Sequence, residues 1–358
     1  MNEDRAVRYH RLRRRASVAA SAAGIAWLLV LFYPGWSGVL ASVAAPRAVV
    51  VTACVLCTAL GWEVCSFPFV FYRTFLLERR YGLSAEPLRT WAGDHVKALA
   101  LGLVLSTAAG LVMYGAIALW PRAWWLASGA ACGLAGLVIS RLAPVVLMPL
   151  FYRFKPLERA SLQQRLMELS HRAGVPVLGT FEWGLGEKST RANAALVGVG
   201  STRRILVSDT LLKDYSEDEI EVILAHEIAH HVHADMWSGL ALETVVIALS
   251  LLGADVVLRQ NHYAAGDLAA LPLLVLAASG VSLALTPVAT AWSRYNERRA
   301  DEFALTLTGR PGAFISAMRR LGAQNLAEAA PSALVLWFFH THPTIDERVA
   351  AARKFETV

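Results

Sequence analysis

A chain of 358 residues that is 56% hydrophobic and only 17% charged is too apolar to be a string of soluble domains, which carry about 25% charged residues. The net charge of +6 raises the question of a nucleic-acid partner. However, six arginines (Arg5, Arg8, Arg11, Arg13, Arg14 and Arg15) crowd together just before an apolar run, and that placement is a cytoplasmic flank rather than a nucleic-acid patch.

In chain order, six apolar stretches are long enough, or nearly so, to cross about 30 Å of hydrocarbon at about 1.5 Å per residue. They fall near 16–33, 47–70, 97–120, 123–150, 236–258 and 268–291. The first is the shortest and stops at Pro34-Gly35. It also reads as the apolar core of a signal peptide, with Ala-rich residues 41–45 as a cleavage region. The four cysteines (Cys54, Cys57, Cys65 and Cys132) lie inside these runs. Cys54 and Cys57 lack a second pair to complete a zinc site, so all four read as small buried hydrophobes.

Charge sorts the loops. Residues 71–97 carry Arg73, Arg79, Arg80, Arg89 and Lys97, whereas the opposite-side loops hold only Arg47, Arg122 and Arg259. This bias places both termini in the cytoplasm of a multi-pass cell-membrane protein. Two polar blocks then lie on the cytoplasmic side. Residues 151–235 read as an amphipathic helix (about 156–173), a Gly-rich hairpin (195–208) and a helix from about 216. Residues 292–358 read as two or three helices. The expected fold class is mainly α: a polytopic membrane helix bundle with an embedded cytoplasmic-side domain carrying a small β hairpin or sheet. Residues 1–150 form an N-terminal membrane domain of about four spans, and 151–358 a second domain with its own transmembrane hairpin at about 236–291.

The residues that carry chemistry begin at His226-Glu227-Ile228-Ala229-His230. Histidines at i and i+4 share one helix face, so both imidazoles can reach one zinc ion, and Glu227 beside them can serve as general base. Ser216 with Glu219 three residues later forms a capping box that starts the helix. Such a pentapeptide also occurs by chance, so the third ligand of a catalytic zinc must be found. His231 and His233 cannot converge with His226 and His230 on one ion, and they read as facing solvent or supporting the ligands from behind. From His230 to about Leu258 is roughly 42 Å of helix, and from Gly266 to Glu297 roughly 46 Å. A straight hairpin therefore returns Glu297 to the depth of the histidine pair. Two readings fit equally at this point. One makes Glu297 the ligand, with Asp301 orienting a ligand histidine. The other is a charged, solvated helix end paired with arginines.

The sequence resembles the CAAX prenyl protease 1 type of integral-membrane zinc proteases in peptidase family M48, from about residue 60 to the C-terminus. The likeness rests on Phe67-Pro68-Phe69-Val70-Phe71-Tyr72-Arg73-Thr74-Phe75 with Glu78-Arg79-Arg80-Tyr81-Gly82, and on Ala143-Pro144-Val145-Val146-Leu147-Met148-Pro149-Leu150-Phe151 with Phe154-Lys155-Pro156-Leu157. Asn193-Ala194, the stretch Ser293–Asp301, and His342-Pro343 with Glu347-Arg348 also match family motifs. The resemblance implies a gluzincin-type metalloendopeptidase binding one Zn2+ through His226, His230 and Glu297. It makes His342 the stabiliser of the transition-state oxyanion, and Asn193 and Ala194 the clamp on the substrate backbone. His340, two residues earlier, could exchange roles with His342. The resemblance also implies a large wet chamber among the spans, which polar Glu63 and Glu243 would suit.

The expected function is peptide-bond hydrolysis by a zinc-activated water with Glu227 as base. Its expected partners are a peptide or protein substrate, membrane-associated or lipidated substrates included, and the lipid bilayer, with no nucleic acid. Two alternatives stand beside it: quality control of membrane proteins by an enzyme of the stress-induced type, and a catalytically inactive zinc-binding membrane scaffold.

Overall fold

Prolines set most of the boundaries of the long helices. The structure is a computed structural model and describes residues 2–356. Helix α1 (Asn2–Phe32) stops before Pro34-Gly35, and a short α2 (Trp36–Ala41) turns the chain. Pro46 opens α3 (Arg47–Phe71). That helix loosens into a π-turn over Tyr72–Leu76 just past Pro68 and continues as α4 (Leu77–Arg80). Pro87 opens α5 (Leu88–Leu119). The next helix, α6 (Trp124–Leu142), passes through a second π-turn over Ala143–Leu147 into α7 (Met148–Phe151). Pro144 cannot donate to the helical ladder, which accounts for this break. Both π-turns fall within the segments that carry the family resemblance.

The chain then forms β1 (Phe154–Pro156), α8 (Ala160–Arg172), β2 (Gly179–Trp183), β3 (Ala194–Val197) and β4 (Arg204–Ser208). The sheet order is β1-β2-β4-β3. β2 runs parallel to β4, while the β1–β2 and β3–β4 pairs are antiparallel. The expected hairpin is therefore the β3–β4 edge of a four-stranded mixed sheet. Seven helices follow: α9 (Asp209–Asp214), α10 (Glu217–Val232), α11 (Asp235–Gln260), α12 (Leu271–Thr308), α13 (Pro311–Gln324), α14 (Ala333–Phe339) and α15 (Ile345–Glu356). One face of α8, the sheet, α10, the far end of α12, α13 and α15 share a core around Leu166, Ile205, Leu224 and Phe314.

Six helices among the described residues are long and apolar enough to cross a membrane: Arg5–Phe32, Arg47–Arg80, Leu88–Leu119, Trp124–Phe151, Asp235–Gln260 and Leu268–Thr308. Contacts fix the two ends of the bundle. At one end, Arg14 holds Glu328 and Tyr9 packs with Leu77, Tyr81 and Leu326, so the arginine-rich start of the chain lies against the C-terminal helical block. At the other, Ser37 donates to the Ala269 carbonyl (2.7 Å), Arg47 to that of Gly266 (2.8 Å), and the Trp124 indole to Asp255 (2.9 Å). Between these ends lies a cavity of about 1050 Å³ whose lining includes Glu63, His95, Cys132 and Leu274. Glu63 faces it and pairs with His95 at 2.8 Å. Glu243 is exposed on α11 and is not part of this lining.

Small residues set the approach of α6 to α11. A Cβ on Gly129 would lie 2.8 Å from the Ala248 Cβ, and one on Gly133 would lie 2.5 Å from Thr244 Oγ1. Helices in lipid associate by such close packing, since apolar burial gives no preference there. Gly133→Leu should therefore cost about 1–3 kcal/mol by overpacking, lowering the thermal midpoint of the detergent-solubilised protein. Gly115→Leu, where nothing stands within 4 Å, should leave that midpoint in place.

Candidate active site

The motif helix is held before its histidines are reached. The Glu219 carboxylate accepts from the Ser216 N–H (2.8 Å) and Ser216 Oγ from the Glu219 N–H (3.3 Å), which is the expected capping box. Glu217, Asp218 and Glu219 complement the positive end of the helix. Glu219 also accepts from Ser316 Oγ (2.7 Å) and Arg320 (2.9 Å) on α13. Further along, Ile220, Val222, Ile223, Leu224, Ala225, Ile228 and Ala229 are all buried. The helix has almost no solvent face, so its histidines emerge from a fixed rod.

Three side chains converge beyond it. His226 Nε2 stands 3.2 Å from Glu297 Oε2, and His230 Nε2 3.5 Å from Glu297 Oε1. One ligand atom from each of the three lies within 4.8 Å of the others. The remaining ring nitrogens are taken. His226 Nδ1 faces Asp301 at 2.9 Å, and His230 Nδ1 faces Asp235 at 2.8 Å. A carboxylate only accepts, so each ring donates from Nδ1, which leaves Nε2 on the side of Glu297. Glu297 Oε2 is itself buried without a hydrogen bond. Burial opposes a charged ring, but Asp301 and Glu297 outweigh it and raise the His226 pKa to about 9. The cluster lacks one positive charge, which either a proton or a cation could supply.

Several residues build this arrangement without having been singled out from the sequence. Ala234 adopts the left-handed conformation (φ 56°), which breaks the chain between α10 and α11 and lets Asp235 reach back to His230. Arg299 donates to the other Asp235 oxygen (3.1 Å). Arg348 donates Nε–H to Asp301 Oδ2 (2.8 Å) and a second bond to Oδ1 (2.5 Å). Arg294 donates to the carbonyls of Leu336 (3.0 Å) and His340 (2.7 Å), and Thr290 to that of Trp337 (2.5 Å). Buried polar side chains on α12 thus hold the segment that leads to His342.

The expected site residues separate into two places. His226, Glu227, His230, Glu297, Asp301 and His342 come together. His342 Nδ1 lies 2.7 Å from Glu297 Oε2, with a side chain 61% exposed. His340 instead faces Glu328 at 3.6 Å, so only His342 reaches the cluster. Glu227 has no hydrogen bond or ion pair among the described residues, and burial, followed by nearby Glu297, pushes its carboxyl up against the pull of both histidines. Asn193 and Ala194 lie on the sheet instead and bond no member of the cluster. Asn193 is exposed, its N–H donating to Ser208 Oγ (3.0 Å), and Ala194 begins edge strand β3. His231 links the two places. Burial lowers its pKa, and the neutral ring donates to the Leu196 carbonyl at 2.8 Å. It supports the strand, not the ligands. His233 packs edge-on against Phe303.

Residues 156–356 match Peptidase family M48 and residues 3–153 match the CAAX prenyl protease N-terminal family. The chain belongs to peptidase family M48 and is a membrane metallopeptidase. The match begins well before residue 60, so the likeness extends further toward the N-terminus than the motifs alone showed. The second family is described as having five membrane helices, where the described part of 3–153 holds four apolar helices of crossing length. The chain is 33% identical over 288 residues to the "Uncharacterized metalloprotease YhfN" of Bacillus subtilis, covering 77% of this chain and 67% of that protein. It is 27% identical over 292 residues to the "Probable CAAX prenyl protease 1" of Schizosaccharomyces pombe, covering 79% and 61%. Its fold matches the crystal structure of S. mikatae Ste24p with a TM-score of 0.84 at 21% identity, over 98% of this chain and 88% of that one.

The capping box has a measurable pH signature. Burial acts to raise the Glu219 pKa, but Ser316, both Ser216 contacts and Arg320 together lower it below its ordinary 4.5. A depressed folded-state pKa contributes stability that is present above the unfolded value and lost as pH falls toward the folded one. Glu219→Gln should destabilise the protein by about 1–2 kcal/mol at pH 7. The gap to wild type in denaturation midpoint should narrow below about pH 4.5.

Proposed function

We propose that the chain is a zinc metalloendopeptidase, with zinc held by His226, His230 and Glu297. The observation that carries this reading is the facing of three acceptors: two imidazole lone pairs, each enforced by an aspartate behind its ring, and a buried glutamate. Two nitrogens and a carboxylate are a donor set that suits catalytic zinc. Zinc bound there supplies Lewis acidity and makes water a competent nucleophile near neutral pH.

The chain's own residues do the rest. Glu227, its carboxyl already raised and free of competing partners, takes the proton from the attacking water and passes it to the leaving amine. Asp301 and Asp235 hold the ligand rings in one tautomer, and Arg348 and Arg299 keep those aspartates in place. His342 donates to the oxyanion as charge develops, a contribution on the order of 3 kcal/mol. The peptide backbone adds beside β3 as a further strand, with Asn193 as a side-chain clamp and Ala194 at the strand's start. β3 supports this because it ends the sheet order and α10 braces it through His231.

The membrane arrangement follows from the same pieces. Residues 1–150 act as a membrane domain and 151–358 as the peptidase domain with its own hairpin. The arginine-rich N-terminus packs against the C-terminal block that carries His342. With the charge bias of the loops, this supports termini and active site on the cytoplasmic side. The substrate class follows the relatives named CAAX prenyl proteases: peptide tails of membrane-associated, lipidated proteins.

Glu227→Gln should abolish peptide hydrolysis in detergent while keeping about one zinc per chain; activity surviving in that variant would sink the mechanism. Glu297→Gln should lose the metal itself, read by elemental analysis. Asp235→Asn should weaken zinc binding by about 10–100-fold with every ligand intact, read by competition with a chromogenic chelator.

A further inference from the structure

A second cavity, of about 550 Å³, shares His342 and Arg348 with the active site, and its wall also carries Arg13, Arg14, Arg73 and Glu328. Four guanidinium groups thus line it against one carboxylate. Two of them are occupied. Arg14 forks onto Glu328 at 2.5 and 3.1 Å, and Arg348 onto Asp301. The other two are not. Arg13 is exposed and makes no side-chain hydrogen bond or ion pair among the described residues. Arg73 makes a single bond, to Ser17 Oγ at 3.2 Å, and its Nε is buried with no partner. A buried donor left unmatched is costly, and native structures leave few of them. An anion with two oxygens would satisfy the buried Arg73 donor and replace water at the exposed Arg13, since the guanidinium fork matches a carboxylate. The volume lies within the roughly 300–1,000 Å³ of small-ligand sites.

We propose, building on the hydrolase reading above, that Arg13 and Arg73 bind the free α-carboxylate of the peptide being cut. The pocket's wall includes the histidine assigned to the oxyanion, so an anion seated there is best placed as part of the molecule under hydrolysis. Bound in that way, the chain end fixes how many residues separate it from the scissile bond. Both arginines lie in the N-terminal membrane part, outside the segment that matches the peptidase family. The membrane helices then supply specificity to a catalytic group built elsewhere.

The test compares one peptide ending as a free acid with the same peptide ending as an amide, in nanodiscs of zwitterionic lipid. Wild type should show a KM about tenfold lower for the acid, with similar kcat, a ratio on the scale of one charge-assisted contact. The Arg13→Gln/Arg73→Gln double variant should bring that ratio to about one, and the Arg13→Lys/Arg73→Lys variant should restore part of it. A merely structural role would slow both peptides alike and leave the ratio standing. Equal KM for acid and amide in wild type, or an unchanged ratio in the Gln variant, overturns the proposal. If the acid preference disappears on adding phosphatidylglycerol, the pair belongs to a lipid headgroup phosphate, and the proposal is again overturned. Absence of hydrolysis with either peptide would count against the hydrolase reading alone. The acid-to-amide ratio of binding affinities then decides the subsite, with equal affinities overturning it.

Discussion

The site depends on one constraint: two imidazoles whose outer nitrogens are claimed by aspartates must aim their remaining lone pairs at a buried glutamate. Nothing in that arrangement is stable alone, because a buried charge without a partner costs several kcal/mol. The surroundings answer it in layers. His226 leans on Asp301, which leans on Arg348; His230 leans on Asp235, which leans on Arg299. The first chain draws on α10, α12 and α15, and the second on α10, α11 and α12. The same charges that orient the rings therefore also tie four helices together.

The membrane contributes to that geometry. α12 is one helix of 38 residues, whose first part lies among the apolar spans and whose last part enters the core shared with α8, the sheet, α10, α13 and α15. Glu297 and Asp301 sit on its buried face, where the surroundings change from apolar helices to the polar block. With α12 packed along α11, and α11 against the glycine face of α6, the depth of the carboxylates is set by the helices in lipid. A change in how α6 meets α11 would act on the site through a rigid rod.

What was legible in the sequence was what helix geometry or local chemistry encodes. The His226–His230 spacing, the Ser216–Glu219 capping box and the Glu297–Asp301 spacing are i, i+3 or i, i+4 relations that any helix honours. Even the long-range pairing of Glu297 with the histidines could be reached by counting rises along a straight hairpin. The second aspartate could not be derived in that way. Asp235 reaches His230 only because Ala234 takes a positive φ, and alanine gives no sign of it. Arg348 and Arg294 stood in matched motifs, but their partners, like that of Thr290, were hidden because they are acidic groups or carbonyls brought near by tertiary packing. β1 and β2, of three and five residues, lie in a segment with no clean alternation, so the hairpin was visible and the rest of the sheet was not. The N-terminal arginines were read as a cytoplasmic flank, but a charge bias cannot tell which of them faces a pocket.

The contrast between His340 and His342 shows how the fold separates two neighbouring residues of one type. Arg294 and Thr290 hold the carbonyls of Leu336, Trp337 and His340, which fixes the backbone on the approach to His342. His340 is turned inward to Glu328, whereas the His342 side chain is largely exposed. A fixed backbone carrying a largely exposed imidazole beside Glu297 suits the role proposed for His342, a group that must bond strongly only when negative charge develops. A ring fully committed in the ground state would stabilise substrate and transition state alike and gain no rate. The anchoring arginine and threonine on α12 thus place His342 beside Glu297, and α12, which carries the carboxylate proposed as the third ligand, also sets where the proposed oxyanion donor can stand.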